Sequence, residues 1–134
     1  MESARKNISQ PLEVATLQEV ARLIRTKSLS PVQVVEACIK RIEELNPKLN
    51  AFITVLADLA REQAQTAEAE IKAGKWRGPL HGIPIGIKDF YDTTGIKTTA
   101  GFEHFKDRVP AKDAVGVTRL KKAGAIIIGK MNMH

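Results

Sequence analysis

Lys88 closes the apolar part of the stretch GPLHGIPIGIKDFYDTTGIKTTAG, Gly78 to Gly101. A lysine at the C-terminal end of a buried strand stands where α/β sheets place their ligands. Burial disfavours the ammonium and lowers its pKa, so such a lysine can accept a proton near neutrality. The apolar run is therefore expected to bury Lys88, with Gly82 and Gly86 allowing close backbone approach around it. The competing reading is a strand-end lysine paired with a carboxylate. Residue types alone leave both open.

Other residues invite chemical readings and lose them on inspection. GAIIIGKM, Gly124 to Met131, matches the G-x-x-x-x-G-K of a phosphate-binding loop. Met131, however, stands where Ser or Thr must reach the magnesium. The intervening Ala-Ile-Ile-Ile prefers an extended strand, whereas a phosphate loop must curl until its N–H groups converge. His81, His104 and His134 have no ligand-type spacing, so no metal site is expected. Asp89 and Asp92 flank the lysine, but carboxylates three apart in a loop read as turn and capping residues. Cys38 lies beside a helical apolar stripe and reads as a small core residue.

The elements that must position Lys88 follow from periodicity. Thr16 with Glu19 forms a capping box, and Leu17, Val20, Ala21 and Ile24 repeat behind it at helical spacing. Ser30 caps a second helix with Pro31 at its first position. Its stripe is Val32, Val35, Ile39, Ile42 and Leu45, and Asn46-Pro47 is expected to end it. A β-like run, Ala51 to Val55, leads into an alanine-rich helix with Leu56, Leu59, Ala60, Ala64, Ala67 and Ile71 inward. Gly74 is its C′ residue.

After the polar link KWRGP the chain changes character. LHGIPIGIK reads as a strand, followed by a Thr- and Gly-rich loop. Asp113 is expected to cap a helix to about Ala123, which Gly124 ends. AIIIG, Ala125 to Gly129, is a continuous apolar run of the kind a strand covered on both faces requires. The order strand, long loop, helix, strand is a βαβ crossover, and the fold class is α/β. One incomplete domain is expected: 1–15 an extension, 16–77 mainly helical, 78–134 strand-loop-helix-strand with Lys88. Two strands and these helices are too few to cover a two-sided strand at 125–129, so that strand is expected to lack its sheet neighbours and to drive self-association.

Bulk properties exclude several classes. The chain has 134 residues, 43% hydrophobic, with no low-complexity tract, which argues against disorder. Nothing approaches the roughly 20 consecutive apolar residues of a membrane span, and the N-terminus shows no signal-peptide core. A lone cysteine, Cys38, leaves no intrachain disulfide and agrees with a reducing, cytoplasmic setting. The net charge of +6 is scattered over helix faces without interleaved aromatics, so no direct nucleic-acid binding is expected. No cofactor is expected either.

The stretch Gly78 to Gly101 resembles the opening of the amidase signature family. That family shows P-L-x-G-(I/V)-P-(I/V)-x-(I/V)-K-D followed by a T-x-G-x-x-T-(S/T)-x-G loop. DAVGVTRLKKAGAIIIGKMNMH is similar to the family's next helix and strand, and SPVQVVEACIKRIEELNPKLNAFITV fits its usual start. The resemblance runs from about Thr16 to His134. It implies an amidase-type hydrolase acting on the C–N bonds of a small-molecule carboxamide through a Ser–cis-Ser–Lys triad, with Lys88 as the base. A bridging serine gives its proton to the lysine and activates the nucleophilic serine.

The departures from the family are specific. Ser3, Ser9, Ser28 and Ser30 are the only serines and all precede Lys88, whereas the family's serines follow the strand at 125–129. Met131 stands where a small residue is usual, and Phe102 where many members have a small or polar one. The chain is therefore expected to be an N-terminal piece of such an enzyme, inactive alone. One alternative is a piece of the A-type component of a glutamine-dependent tRNA amidotransferase, from which the final His134 leads away. Another is a non-catalytic truncated product.

Overall fold

The computed structural model describes residues 11–133. Its helices begin where the side chains can cap them. Thr16 is extended, and its hydroxyl accepts the Glu19 N–H at 3.1 Å at the start of α1, Leu17–Arg25. Ser30 accepts from the Val32 N–H at 3.0 Å, and Gln33 reaches back to the Ser30 N–H at 3.0 Å. This reciprocal pair, with Pro31 at the first position, starts α2, Pro31–Leu49. Each such cap is worth about 1 kcal/mol.

The expected stop at Asn46-Pro47 is overturned, because α2 runs through Pro47 to Leu49. Pro47 sits in the last turn, and the real terminator is Asn50, left-handed at φ 50°. Asn46 has a different task. Its side chain accepts from the Phe52 N–H at 2.8 Å and donates to the Phe52 carbonyl at 3.1 Å, holding the chain as it turns back.

That return begins β1, Phe52–Val55, and leads into α3, Ala57–Lys72. Ala60, Ala64, Ala67 and Ile71 are buried, and the steps of four, three and four between them make one straight stripe. Leu59, expected inward, lies about 100° round the helix from Ala60 and is partly exposed instead. Gly74, at φ 81°, follows the cap as expected. The link at 75–79 is not a bare connector, since Trp76 packs against the core of α1 and lies 4.7 Å from the Arg25 guanidinium.

The sheet holds β2, Pro84–Lys88, and β3, Ile126–Met131, joined through α4, Val115–Lys122. β2 and β3 are parallel, so the βαβ crossover is present. The strand order is β1-β3-β2, with β1 antiparallel to β3. β3 therefore has a neighbour on each side, against the expectation that the strand at 125–129 would be left bare. Ile126 and Ile128 pack with Val35, Ile39, Ala60 and Ala64 of α2 and α3, while Ile127 packs with Ile87 and Val117 of α4. The short run at 51–55 supplies the missing strand and α4 the missing layer. The edges of this sheet are β1 and β2, so the expected reason for self-association does not hold.

Asp113 is not the cap of α4. The cap is Ala114, with no side-chain bond. Asp113 instead accepts from the Thr94 N–H at 2.7 Å and forms an ion pair with Lys121 at 2.8 Å. A carboxylate within reach of both a loop amide and an ammonium gains more from them than from a free helix end.

Gly129 shows how tightly β1 closes on β3. A Cβ there would lie 2.5 Å from the Thr54 carbonyl oxygen and 2.7 Å from the Phe52 ring. The irregular step between Phe52 and Thr54 in the ladder falls at this contact. Gly129→Ala is expected to destabilise the protein by about 1–3 kcal/mol, read as a Tm lowered by several degrees.

Candidate active site

The C-terminal end of β2 delivers Lys88 to the surface. Its register partner on β3 is Met131, and the Asp89 N–H continues the ladder by donating to the Met131 carbonyl at 2.8 Å. The expectation that the apolar strand buries Lys88 is overturned: the side chain is exposed. Strand residues alternate between faces, and Ile87, not Lys88, is the one turned into the core. The amine makes no hydrogen bond or ion pair among the described residues. The alternative of a strand-end lysine tied to a carboxylate is thus not what the structure shows.

The glycines near Lys88 serve other approaches than the expected one. A Cβ on Gly82 would meet the Pro31 ring at 2.7 Å, so this glycine lets β2's entry close on α2. A Cβ on Gly86 would meet Met131 Sδ at 2.7 Å. Met131 extends β3 and lays its side chain over Gly86, beside Lys88 on the same end of the sheet.

The chain beyond Lys88 is held by buried polar groups. Asp89 is 1% exposed. Its Oδ2 accepts the Thr99 hydroxyl at 2.5 Å and the Thr99 N–H at 3.1 Å, while its carbonyl accepts the Ala100 N–H at 2.8 Å. These bonds hold Ala100 at φ 53°, a left-handed conformation that an alanine adopts only when its surroundings enforce it. Asp89 Oδ1 is buried without a partner among the described residues. Asp92, expected as a turn or capping residue, instead spends its carboxylate on Arg108 at 2.7 Å, and that hydrogen bond holds its pKa below the usual carboxylate value.

Lys130 is the residue that sequence reasoning missed. In the sequence it figures only as part of a phosphate-loop match, and the rejection of that match stands, since Gly129 and Lys130 lie within an extended strand. Its side chain is 0% exposed. Nζ donates to the Tyr91 carbonyl at 2.6 Å, Thr93 Oγ1 at 2.8 Å and Thr98 Oγ1 at 2.9 Å. Burial pushes its pKa down, while the carboxylates of Asp89 and Asp92 act the other way. The available signal was a charged residue inside a two-sided apolar strand, which demands buried partners.

The other candidates lie away from this end of the sheet. His81 is buried beside α3, with Nε2 2.8 Å from Glu70 and Nδ1 accepting the Arg77 N–H at 3.0 Å. Ser30 is committed to the α2 cap and to Glu68, at 2.5 Å. Ser28 meets Thr26 at 3.1 Å, so neither serine is brought to Lys88. Ser3, Ser9 and His134 lie outside the described residues. Cys38 is half-buried against the α2–α3 core, and burial raises its thiol pKa. Among the described residues no group of three or more His, Cys, Asp or Glu could hold a metal ion, and no helix is long and apolar enough to cross a membrane.

Comparison with known proteins decides what this arrangement belongs to. The family model Amidase matches residues 33–134, from the first turn of α2 through Lys88 and β3. The chain belongs to the amidase family. A Mycobacterium tuberculosis protein described as putative amidase AmiD is 46% identical over 117 residues, which are 87% of this chain and 25% of that protein. The A-type component of the glutamyl-tRNA(Gln) amidotransferase of Bdellovibrio bacteriovorus is 43% identical over 90% of the chain and 24% of its own length. Among solved structures, the native peptide amidase of Stenotrophomonas maltophilia superposes with a TM-score of 0.85 at 32% identity, covering 92% of this chain and 26% of that one. The chain thus spans about a quarter of the length of the relatives it matches. Its mixed α/β architecture matches part of the fold of amidase signature enzymes.

The Asp89–Thr99 contact can be tested without activity. Thr99→Val removes the hydroxyl and leaves a buried carboxylate oxygen short of a donor, so a loss of about 1–3 kcal/mol is expected. Thr99→Ser keeps the hydroxyl and should retain most of the stability; chemical denaturation of both variants checks the pair.

Proposed function

We propose that Lys88 is the proton-accepting lysine of an amide-cleaving enzyme to which this chain contributes its first elements. The observation that carries the reading is the family match running through a lysine left free at the C-terminal end of β2. An unpaired amine there is available to a partner, where a lysine locked in an ion pair would not be. The motif Pro84-Ile85-Gly86-Ile87-Lys88-Asp89 corresponds to the family segment whose lysine takes a proton from a serine.

In that chemistry the bridging serine hands its proton to the neutral lysine amine and accepts one from the nucleophilic serine. The nucleophile's oxygen bonds to the amide carbon, and the C–N bond breaks as the nitrogen leaves with a proton, as ammonia or an amine. Water then cleaves the acyl-enzyme. The substrate class is a small-molecule carboxamide. Burial that would favour the neutral amine must come from structure packed over Lys88, since the strand itself leaves it in solvent. The exposed Phe90, Tyr91 and Phe102 offer that structure an apolar bed.

Among the described residues Lys88 has no serine beside it, because Ser28 and Ser30 are engaged at the start of α2. The purified chain should therefore release no ammonia from carboxamides. Grafted in place of the corresponding segment of the Pseudomonas putida amidase, which is 39% identical over 120 residues, it should support ammonia release. Lys88→Ala in that chimera is expected to lower kcat/KM by about 10²–10⁴-fold, the usual contribution of a positioned proton acceptor. An active chimera indifferent to Lys88→Ala would overturn the proposal. The amidotransferase relative supports a second reading, amide cleavage that supplies ammonia to a partner site, which glutaminase activity dependent on a co-purifying protein would favour.

A further inference from the structure

The structure holds a second lysine beside the first, and its hydrogen atoms can be counted. Thr93 Oγ1 donates to the Tyr91 carbonyl at 3.1 Å, and Thr98 Oγ1 donates to the Ile96 carbonyl at 3.1 Å. Each hydroxyl has one hydrogen, and with it on the carbonyl both hydroxyls accept from Lys130. The Tyr91 carbonyl likewise only accepts. Three acceptors around one nitrogen call for three N–H donors. A neutral amine has two, and its lone pair would then face an oxygen. With both hydroxyl hydrogens on their carbonyls, the arrangement is complete for –NH₃⁺.

Burial works against that charge, but the cage answers it with three short bonds and with the nearby carboxylates of Asp89 and Asp92. Lys130 is thus ill-suited to accept a proton, whereas Lys88, one register step along the sheet, is unencumbered. The cage also reaches Lys88 through the backbone. The Tyr91 N–H donates to the Lys88 carbonyl at 3.1 Å, and the carbonyl of the same Tyr91 accepts from Lys130 at 2.6 Å. On its other side the turn is tied by the Asp89 N–H to the Met131 carbonyl. The four residues Lys88 to Tyr91 therefore hang between two fixed points on β3.

We propose that Lys130 is a positioning residue, a caged ammonium that fixes the turn Lys88–Tyr91 and so sets where Lys88 presents its amine. The proposal rests on reading Lys88 as the proton acceptor, but its physical core can be measured separately. The 134-residue chain labelled with ¹⁵N at lysine side chains is expected to show one ammonium signal that survives when those of exposed lysines broaden through exchange. Lys130→Met should remove it and accelerate exchange of the Tyr91 amide by at least about tenfold, while α2 amides stay unchanged. Thr98→Val, a milder cut to the same cage, should shift the signal and speed Tyr91 exchange, and Thr98→Ser should restore both. Absence of such a signal, or a Tyr91 amide indifferent to the cage, overturns the proposal.

The functional arm uses the chimera. Lys130→Met and Thr98→Val should lower kcat by about tenfold or more, as displacement of a reacting group does, with KM little changed. Thr98→Ser should recover kcat. If Lys88→Ala abolishes activity while the cage variants leave kcat intact, the positioning role is wrong and the assignment of Lys88 stands. If Lys88→Ala leaves an active chimera unaffected, the assignment of Lys88 is wrong, whatever the spectra show.

Discussion

Burial of β3 on both faces is the constraint from which the rest of the fold follows. A strand with isoleucines at 126, 127 and 128 has no face to offer water, so it must sit inside a sheet and between two layers. Ile126 and Ile128 require α2 and α3 beneath them, and Ile127 requires α4 above. The small side chains of α3 let that helix close on α2, and Gly129 lets β1 cross β3 at a distance no larger residue would permit. Placing β3 at the centre then dictates the edges. β2 becomes an outer strand, and its last residue is carried to the rim of the sheet.

The same placement forces a polar solution at the end of β3. Lys130 continues the strand into the buried region, and a charge there is tolerable only where every donor finds an acceptor. The loop after β2 supplies them with two threonines and a carbonyl. One buried cation thereby organises a long loop with little regular structure of its own, and Asp89 does the same from the other side through Thr99. The two neighbouring lysines differ because of the surroundings their strands meet: one is enclosed by hydroxyl and carbonyl oxygens, and the other leaves the sheet with no partner among the described residues.

Local rules were legible where one or two residues settle the matter. The caps at Thr16 and Ser30, the glycine ends at Gly74 and Gly124, and the strand character of AIIIG could be read directly, because each depends on near neighbours in sequence. Asp113 was misread because its partners were not local, and Pro47 because a proline in a helix's last turn did not end the helix, which runs on to Leu49. Asp113 is claimed by Thr94 and Lys121, and the end of α2 is set by Asn50. The shortage of covering layers was likewise an error of pairing, since nothing in residues 51–55 announces that they return to lie against β3.

By itself, the sequence determined the family, the order of the elements and the singular position of Lys88, all of which rest on residue types at fixed spacings. Tertiary structure decided the states of the side chains. It exposed Lys88, buried Lys130 and turned Asp89 inward toward Thr99. Burial and hydrogen bonding are properties of what packs around a residue, and for Lys130 the partners lie 32 to 39 positions away. No spacing rule reaches that far, so the division between an exposed Lys88 and a caged, buried Lys130 emerges only when the chain is folded.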